Sequence, residues 1–281
     1  MRTGSSFIIN VACTGVIPSR VMSPHVPLTH AEIIDDVARV LEQGVQMVHL
    51  HARDSAGLQT GDPEPYGRLI EAIRQLPGGR DAVLCVTTSG RKSADFELRA
   101  RVLSLDGAAK PDMASLTLSS LNFVQSASIN APDTIRSLAA RMQRQNIRPE
   151  LEVFDLGMAN FIKVLLKEGL LSAPLYVNVL LGNIAGAQAD ALHLAAILAA
   201  LPDGCIVSVA GVGLCQLTAN GLGLLLTDGV RVGLEDNLWF DTARSVKASN
   251  AALVERVLRL AAELERPLAT RAETRKRLGI S

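Results

Sequence analysis

The chain is 281 residues long, 48% hydrophobic and 20% charged, with 28 basic and 28 acidic residues and a formal net charge of zero. That length and apolar content suit one large α/β domain, or two small ones, with a sizeable core. The charge balance speaks against a nucleic-acid or membrane surface, and an aromatic content of 3% speaks against stacking platforms for single-stranded nucleic acid. In chain order, Met1-Arg2-Thr3-Gly4 leads into an apolar run too short for a signal peptide. That run, residues 7–13, is the first predicted strand. The loop at 15–29 carries Pro18, Pro24 and Pro27 and is long for a βα connection, as if to cover a site. Thr29 then stands as the cap of a helix over 31–43.

Further strands are predicted at 47–52, 82–88, 113–118, 150–154, 175–181, 205–209 and 229–233, where short runs rich in Val, Ile and Leu occur. Amphipathic patterns between them predict helices at 65–76, 93–103, 132–146, 158–168, 190–201 and 214–226, and a last one at 249–265 ending before Pro267. Eight βα units in a chain of this length predict a (β/α)8 TIM barrel, a fold that typically needs roughly 250 residues, as a single domain over residues 1–281. A doubly wound sheet is the alternative, but no GxGxxG or GxxxxGK[ST] follows a strand. Cys13, Cys85, Cys205 and Cys215 are widely spaced without a CxxC, so no disulfide framework is expected; Cys13, Cys85 and Cys205, in apolar runs, are expected to be buried reduced thiols, and the location to be cytoplasmic. No apolar run is long enough for a membrane span.

The most informative segment is Val48-His49-Leu50-His51-Ala52-Arg53-Asp54. Strand side chains alternate with period two, so His49 and His51 share a face and can supply two ligands of a metal site. By itself the pair is equally compatible with a polar strand end. Its position at the C-terminal end of a barrel strand, where catalytic groups gather, favours the metal. The same end of the barrel should hold Thr87-Thr88-Ser89-Gly90, Ser115, Thr117, Glu152, Asp155, Asn178 and Arg231 through Asn237. Among the other histidines, His30 and His193 fall in helix patterns and read as structural. His25 lies in the Pro-rich loop and is either packed there or close to the site. Glu235 is the best third ligand, completing a His2Glu set suited to Zn2+ with open positions. Arg231 is expected on the same face by alternation and needs an anionic partner, which speaks against Glu235-Asp236 being a solvated pair. A metal, a fixed cation and a candidate base, Asp236, favour proton abstraction beside a polarised carbonyl.

These residues resemble the β-keto acid cleavage enzymes, whose name-giving member is 3-keto-5-aminohexanoate cleavage enzyme. The resemblance spans nearly the whole chain. It rests on Thr14-Gly15, Pro24-His25-Val26-Pro27-Leu28-Thr29, His49-Leu50-His51-Ala52-Arg53-Asp54 and Thr87-Thr88-Ser89-Gly90. It continues through Met113-Ala114-Ser115-Leu116, Ser120-Leu121-Asn122-Phe123, Pro149-Glu150-Leu151-Glu152-Val153-Phe154 and Arg231-Val232-Gly233-Leu234-Glu235-Asp236-Asn237. It implies a (β/α)8 barrel, Zn2+ held by His49, His51 and Glu235, acetyl-CoA as co-substrate, and a homotetramer. It also implies the reaction: a β-keto acid and acetyl-CoA give acetoacetate and a new acyl-CoA. Asp236, positioned by Arg231, would deprotonate the substrate; the enolate attacks acetyl-CoA, CoA passes to the keto carbon, and a retro-Claisen step expels acetoacetate. Thr87, Gly90, Ser115 and Arg231 would bind substrate, with hydroxyls kept at Thr87 and Ser115. One departure is Ile17, where the name-giving member has a glutamate; it implies an uncharged or apolar acyl chain. Arg53, Arg91 and Lys92 are the candidates for CoA phosphates, and Leu238-Trp239-Phe240 for subunit contacts or the pocket wall. The alternatives are a metal-dependent amidohydrolase, which would need further histidines on later strands, and a non-catalytic metal- or ligand-binding barrel.

Overall fold

The computed structural model describes residues 5–280; the reading of Met1 to Gly4 lies outside them. Eight parallel strands close into a barrel: β1 (Ile8–Ala12), β2 (Met47–Leu50), β3 (Val83–Val86), β4 (Met113–Thr117), β7 (Arg148–Val153), β8 (Tyr176–Leu181), β9 (Ile206–Gly211) and β10 (Gly229–Val232). A small antiparallel hairpin, β5 (Leu121–Asn122) with β6 (Ala127–Ser128), is inserted after β4. The strands are almost entirely buried, because helices cover the outer face of the sheet while side chains fill its interior.

The covering helices are α1 (His30–Glu42), α2 (Pro63–Arg74), the short α3 (Phe96–Ala100), α4 (Pro132–Arg144), α5 (Leu156–Lys167), α6 (Ala191–Ala200), α7 (Gln216–Leu226), α8 (Asn250–Glu263) and α9 (Arg271–Leu278). In α1, Ile33, Val37, Val40 and Leu41 form the buried stripe, at helical spacing. Thr29 caps it in a reciprocal capping box with Glu32, as the sequence predicts for the cap. Glu32 also accepts from the Leu28 amide at 3.0 Å and from Arg20 at 2.6 Å, which ties the Pro-rich loop to the helix. The predicted helix at 93–103 is instead a single turn of α3 followed by a 3-10 turn over Arg101–Ser104. The hairpin and α9 escape the pattern because two-residue strands have no period, and α9 is a charged, weakly amphipathic helix.

Alternation sorts the barrel interior into two regions. Ile8, Met47, Val83, Cys85, Met113, Tyr176 and Ile206 form an apolar plug towards the N-terminal end, closed by Ala269 and Leu278. Above it the inward positions turn polar: Asn10, His49, Ser115, Glu150, Asn178, Ser208 and Arg231 are all buried. The remaining core lies between sheet and helices.

Two devices hold the mouth. Gly233 has φ +147°, and a Cβ there would meet the Ala12 carbonyl at 2.2 Å, so β10 can turn sharply against β1. Asn250, at the start of α8, is fully buried. It accepts from the Leu234 amide at 2.8 Å and donates to the Cys13 carbonyl at 3.0 Å and to Asp36 at 2.5 Å. One side chain thereby joins β1, the turn after β10, α1 and α8. Replacing Asn250 by Leu keeps the volume but removes three buried hydrogen bonds, so stability should fall by about 2–4 kcal/mol. A urea melt with an unchanged midpoint would contradict this role.

Candidate metal centre and active site

The polar interior opens at the C-terminal end of the strands into a cavity of about 380 Å3. Its floor comprises His49, His51, Thr87, Thr117, Glu152, Arg231, Glu235 and Asp236. His49 lies on β2 and His51 just past its end, on the same face as expected. Their rings are 5.1 Å apart between centroids. His49 Nδ1 meets Glu150 Oε2 at 2.7 Å, which leaves Nε2 for the cavity. His51 Nε2 lies 3.2 Å from Glu235 Oε1, and His49 Nε2 lies 3.9 Å from Glu235 Oε2. One donor atom from each of His49, His51 and Glu235 falls within 4.8 Å of the others. Glu235 Oε2 is buried without a hydrogen-bond donor. Two imidazole nitrogens beside a carboxylate with one oxygen that no donor satisfies fit a divalent cation in donor type and spacing.

Arg231 and Glu235 do meet, with Nη2 to Oε1 at 3.1 Å, but not by strand alternation. The strand ends at Val232, and a tight turn brings the Asp236 and Asn237 amides back to the Gly233 carbonyl. That turn folds Glu235 and Asp236 over the arginine. Asp236 receives Arg231 at two points, Nε to Oδ2 at 2.9 Å and Nη2 to Oδ1 at 3.1 Å. Gly15 completes the packing. At φ +74° it lies so close that a Cβ would sit 2.6 Å from Glu235 Cγ.

Burial works against every charge here, and the outcome depends on partners. Burial is opposed by His51, Arg231 and His49 at Glu235, which is held well below the usual carboxylate range. At Asp236 burial outweighs Arg231, and its carboxyl is raised. Glu152 is likewise raised by burial. Glu150 is buried too, but His49 and Arg231 prevail and hold it at about 2. Glu150 also accepts from Asn10 at 2.6 Å, Cys85 at 3.2 Å and Asn178 at 3.4 Å. It therefore stays a carboxylate under His49, where it fixes the ring's orientation.

Not every residue singled out in the sequence faces the cavity. Ser115 points into the barrel, but its Oγ accepts from the Thr88 amide at 3.2 Å and it does not line the space. Gly90 is packed under the hairpin, where a Cβ would meet the Ile129 carbonyl at 2.4 Å. Asp155 caps α5. His25, His30 and His193 are exposed and outside the lining. Arg53 donates to the Gly15 carbonyl at 2.5 Å and to the Pro18 carbonyl at 3.3 Å, so it braces the loop. Lys92 is exposed, whereas Arg91 lines the cavity. Leu238 and Trp239 belong to the cavity wall. Glu150 is the residue that sequence reasoning assigned no role. Its spacing from Glu152 repeats the spacing of His49 and His51, so alternation alone would have turned both carboxylates inwards.

The chain matches the family model "beta-keto acid cleavage enzyme" over residues 6–280. It is 35% identical to a 3-oxoadipate:acetyl-CoA acetyltransferase of Cupriavidus necator, over 97% of this chain and 94% of that protein. It is 31% identical to a 3-keto-5-aminohexanoate cleavage enzyme of Acetoanaerobium sticklandii, over 98% of both. The fold is shared with an apo structure of ObcA at TM-score 0.81 and 22% identity, covering 92% of this chain and 66% of that one. Matched along nearly its whole length, the chain belongs to the beta-keto acid cleavage enzyme family and is an enzyme of that kind.

Proposed function

We propose that the cavity converts a β-keto acid and acetyl-CoA into acetoacetate and a new acyl-CoA. The observation that carries this reading is the convergence of His49, His51 and Glu235 beside the Arg231–Asp236 pair. His49, His51 and Glu235 fit Zn2+ in donor type and spacing and would hold it, leaving positions for substrate. A bound Zn2+ would supply Lewis acidity that makes the carbon between the keto and carboxylate groups easier to deprotonate.

Asp236 is the general base. Burial raises its carboxyl above the usual range, which brings its basicity closer to what neutral pH requires. Arg231 grips both carboxylate oxygens and keeps them aimed. Asp236 takes the C2 proton, and the carbanion attacks the acetyl carbonyl of acetyl-CoA, expelling the CoA thiolate. The thiolate adds to the original keto carbon, and the bond between that carbon and C2 breaks. This releases the new acyl-CoA and an acetoacetate carbanion, which recovers the proton from Asp236. Thr87 Oγ1 accepts from the Ser89 amide at 3.1 Å, so its own O–H is free to donate to the substrate carboxylate. Ser115 and Gly90 support that binding indirectly, one by holding Thr88 and the other by letting the hairpin approach.

A hydrolase of the amidohydrolase kind would want further histidines, and His25, His30 and His193 are all outside the cavity. A homotetramer, which the family resemblance implies, and a cytoplasmic location, expected from the cysteine pattern, are part of the proposal. No helix among the described residues is long and apolar enough to cross a membrane.

Incubation of the zinc-loaded protein with a panel of β-keto acids and acetyl-CoA should yield acetoacetate and a matching acyl-CoA by mass spectrometry. No such product from any panel member would refute the reading. Asp236→Asn should keep zinc yet lose turnover by about a hundredfold or more; unimpaired turnover would exclude it as the base. Gly15→Ala should keep the barrel, seen by circular dichroism, but weaken zinc binding about tenfold in a chelator competition, because the new Cβ displaces Glu235. Wild-type zinc affinity in that variant would show the contact to be irrelevant.

A further inference from the structure

The cavity contains two buried or half-buried guanidinium groups of opposite circumstances. Arg231 on the floor is paired through Nε and Nη2 with Asp236 and Glu235, and only its Nη1 has no hydrogen-bond partner. Arg91, in the loop after β3, also lines the cavity, but its side chain has no carboxylate partner among the described residues. Its guanidinium carbon lies 3.5 Å above the centre of the Phe123 ring, and its Nε is shielded from solvent without an acceptor. Phe123 in turn meets Phe154 edge-on at 5.9 Å. The stack holds Arg91 by its flat face, and the residue lines the cavity. A cation placed on an aromatic wall recovers only part of its lost hydration. The floor carboxylates are already engaged: Glu235 and Asp236 by Arg231, and Glu152 by Thr117 at 2.5 Å. The cavity wall also carries the apolar Ile17, Met22, Leu214 and Leu238, and at its exposed rim Arg244.

We infer that Arg91 is a specificity-determining residue that receives a terminal anionic group on the acyl arm of the substrate, so that the chain acts on 3-oxo dicarboxylic acids with an apolar spacer. This rests on the proposed function and narrows its substrate class. It also amends the expectation drawn from Ile17: the arm is apolar along its length but charged at its end. The fork of an arginine suits a carboxylate, bidentate and planar, and the aromatic stack fixes it in advance. The same chemistry would recognise a phosphate of CoA, and the two sources separate kinetically.

The experiment compares freshly prepared 3-oxoadipate with 3-oxohexanoate, which differs by the terminal carboxylate, in the wild-type protein, Arg91→Met and Arg91→Lys. Wild type should favour the dicarboxylate in kcat/KM by about tenfold or more. Arg91→Met should erase that preference through the KM of the dicarboxylate, and Arg91→Lys should restore part of it. Equal losses for both keto acids, with a raised KM for acetyl-CoA, would overturn the inference and assign Arg91 to CoA phosphate. Equal losses without that rise would reduce Arg91 to a packing residue and also overturn it. Calorimetry with the unreactive pair adipate and hexanoate tests the site apart from turnover. Adipate should bind wild type more tightly than hexanoate, and Arg91→Met should remove the difference; equal wild-type binding would overturn the inference even with turnover intact. If no keto acid turns over while adipate binding depends on Arg91, the reaction assignment fails and the anion site stands.

Discussion

A fully buried arginine organises this molecule. Arg231 is 1% exposed, at the middle of a barrel whose lower half is an apolar plug. Such a charge is tolerated only if anions surround it. Asp236 and Glu235 reach it at 2.9 and 3.1 Å, with Glu152 further off at 3.7 Å. Because those carboxylates also face the histidines, the solution to one electrostatic problem builds the site. Glu235 is kept ionised with one oxygen lacking a donor, which fits its proposed place as a metal ligand. Asp236 is held in place yet raised by burial, which fits its proposed part as the base.

The second tier of the site is mechanical. Gly233 lets β10 turn back against β1, Gly15 lets the first loop press against Glu235, and Asn250 sews both strand ends to α1 and α8. Beneath His49, Glu150 fixes the ring by its Nδ1 and is itself held by Asn10, Cys85 and Asn178. The positions of His49, Glu235 and Asp236 are thus set by backbone turns and buried bonds, which suits the proposed chemistry of a carbanion and a thioester held in register.

Above this rigid floor the cavity changes character. The loop after β1, the hairpin and the turn after β10 contribute the apolar Ile17, Leu121, Phe123 and Leu238. Relatives of this chain carry names with different acyl arms, a 3-oxoadipate enzyme and a 3-keto-5-aminohexanoate enzyme among them. In a barrel the loops at the strand ends can vary without disturbing the strands beneath them.

Eight short apolar runs separated by amphipathic stretches were enough to read the barrel, because both faces of a parallel sheet must be buried and each crossover needs a helix. Period-two alternation was enough to pair His49 with His51, and would have paired Glu150 with Glu152. What the sequence alone could not decide lies where the chain leaves regular geometry. The contact between Arg231 and Glu235 depends on a turn at Gly233, not on strand parity. Ser115 points inwards as alternation requires, yet its hydroxyl accepts from the Thr88 amide and does not line the cavity. The hairpin that forms one wall is too short to carry a period, and Arg91 acquires its meaning from Phe123, a residue 32 positions on that stacks against it. Local periodicity determines which face a side chain takes; only the packed structure determines what it finds there.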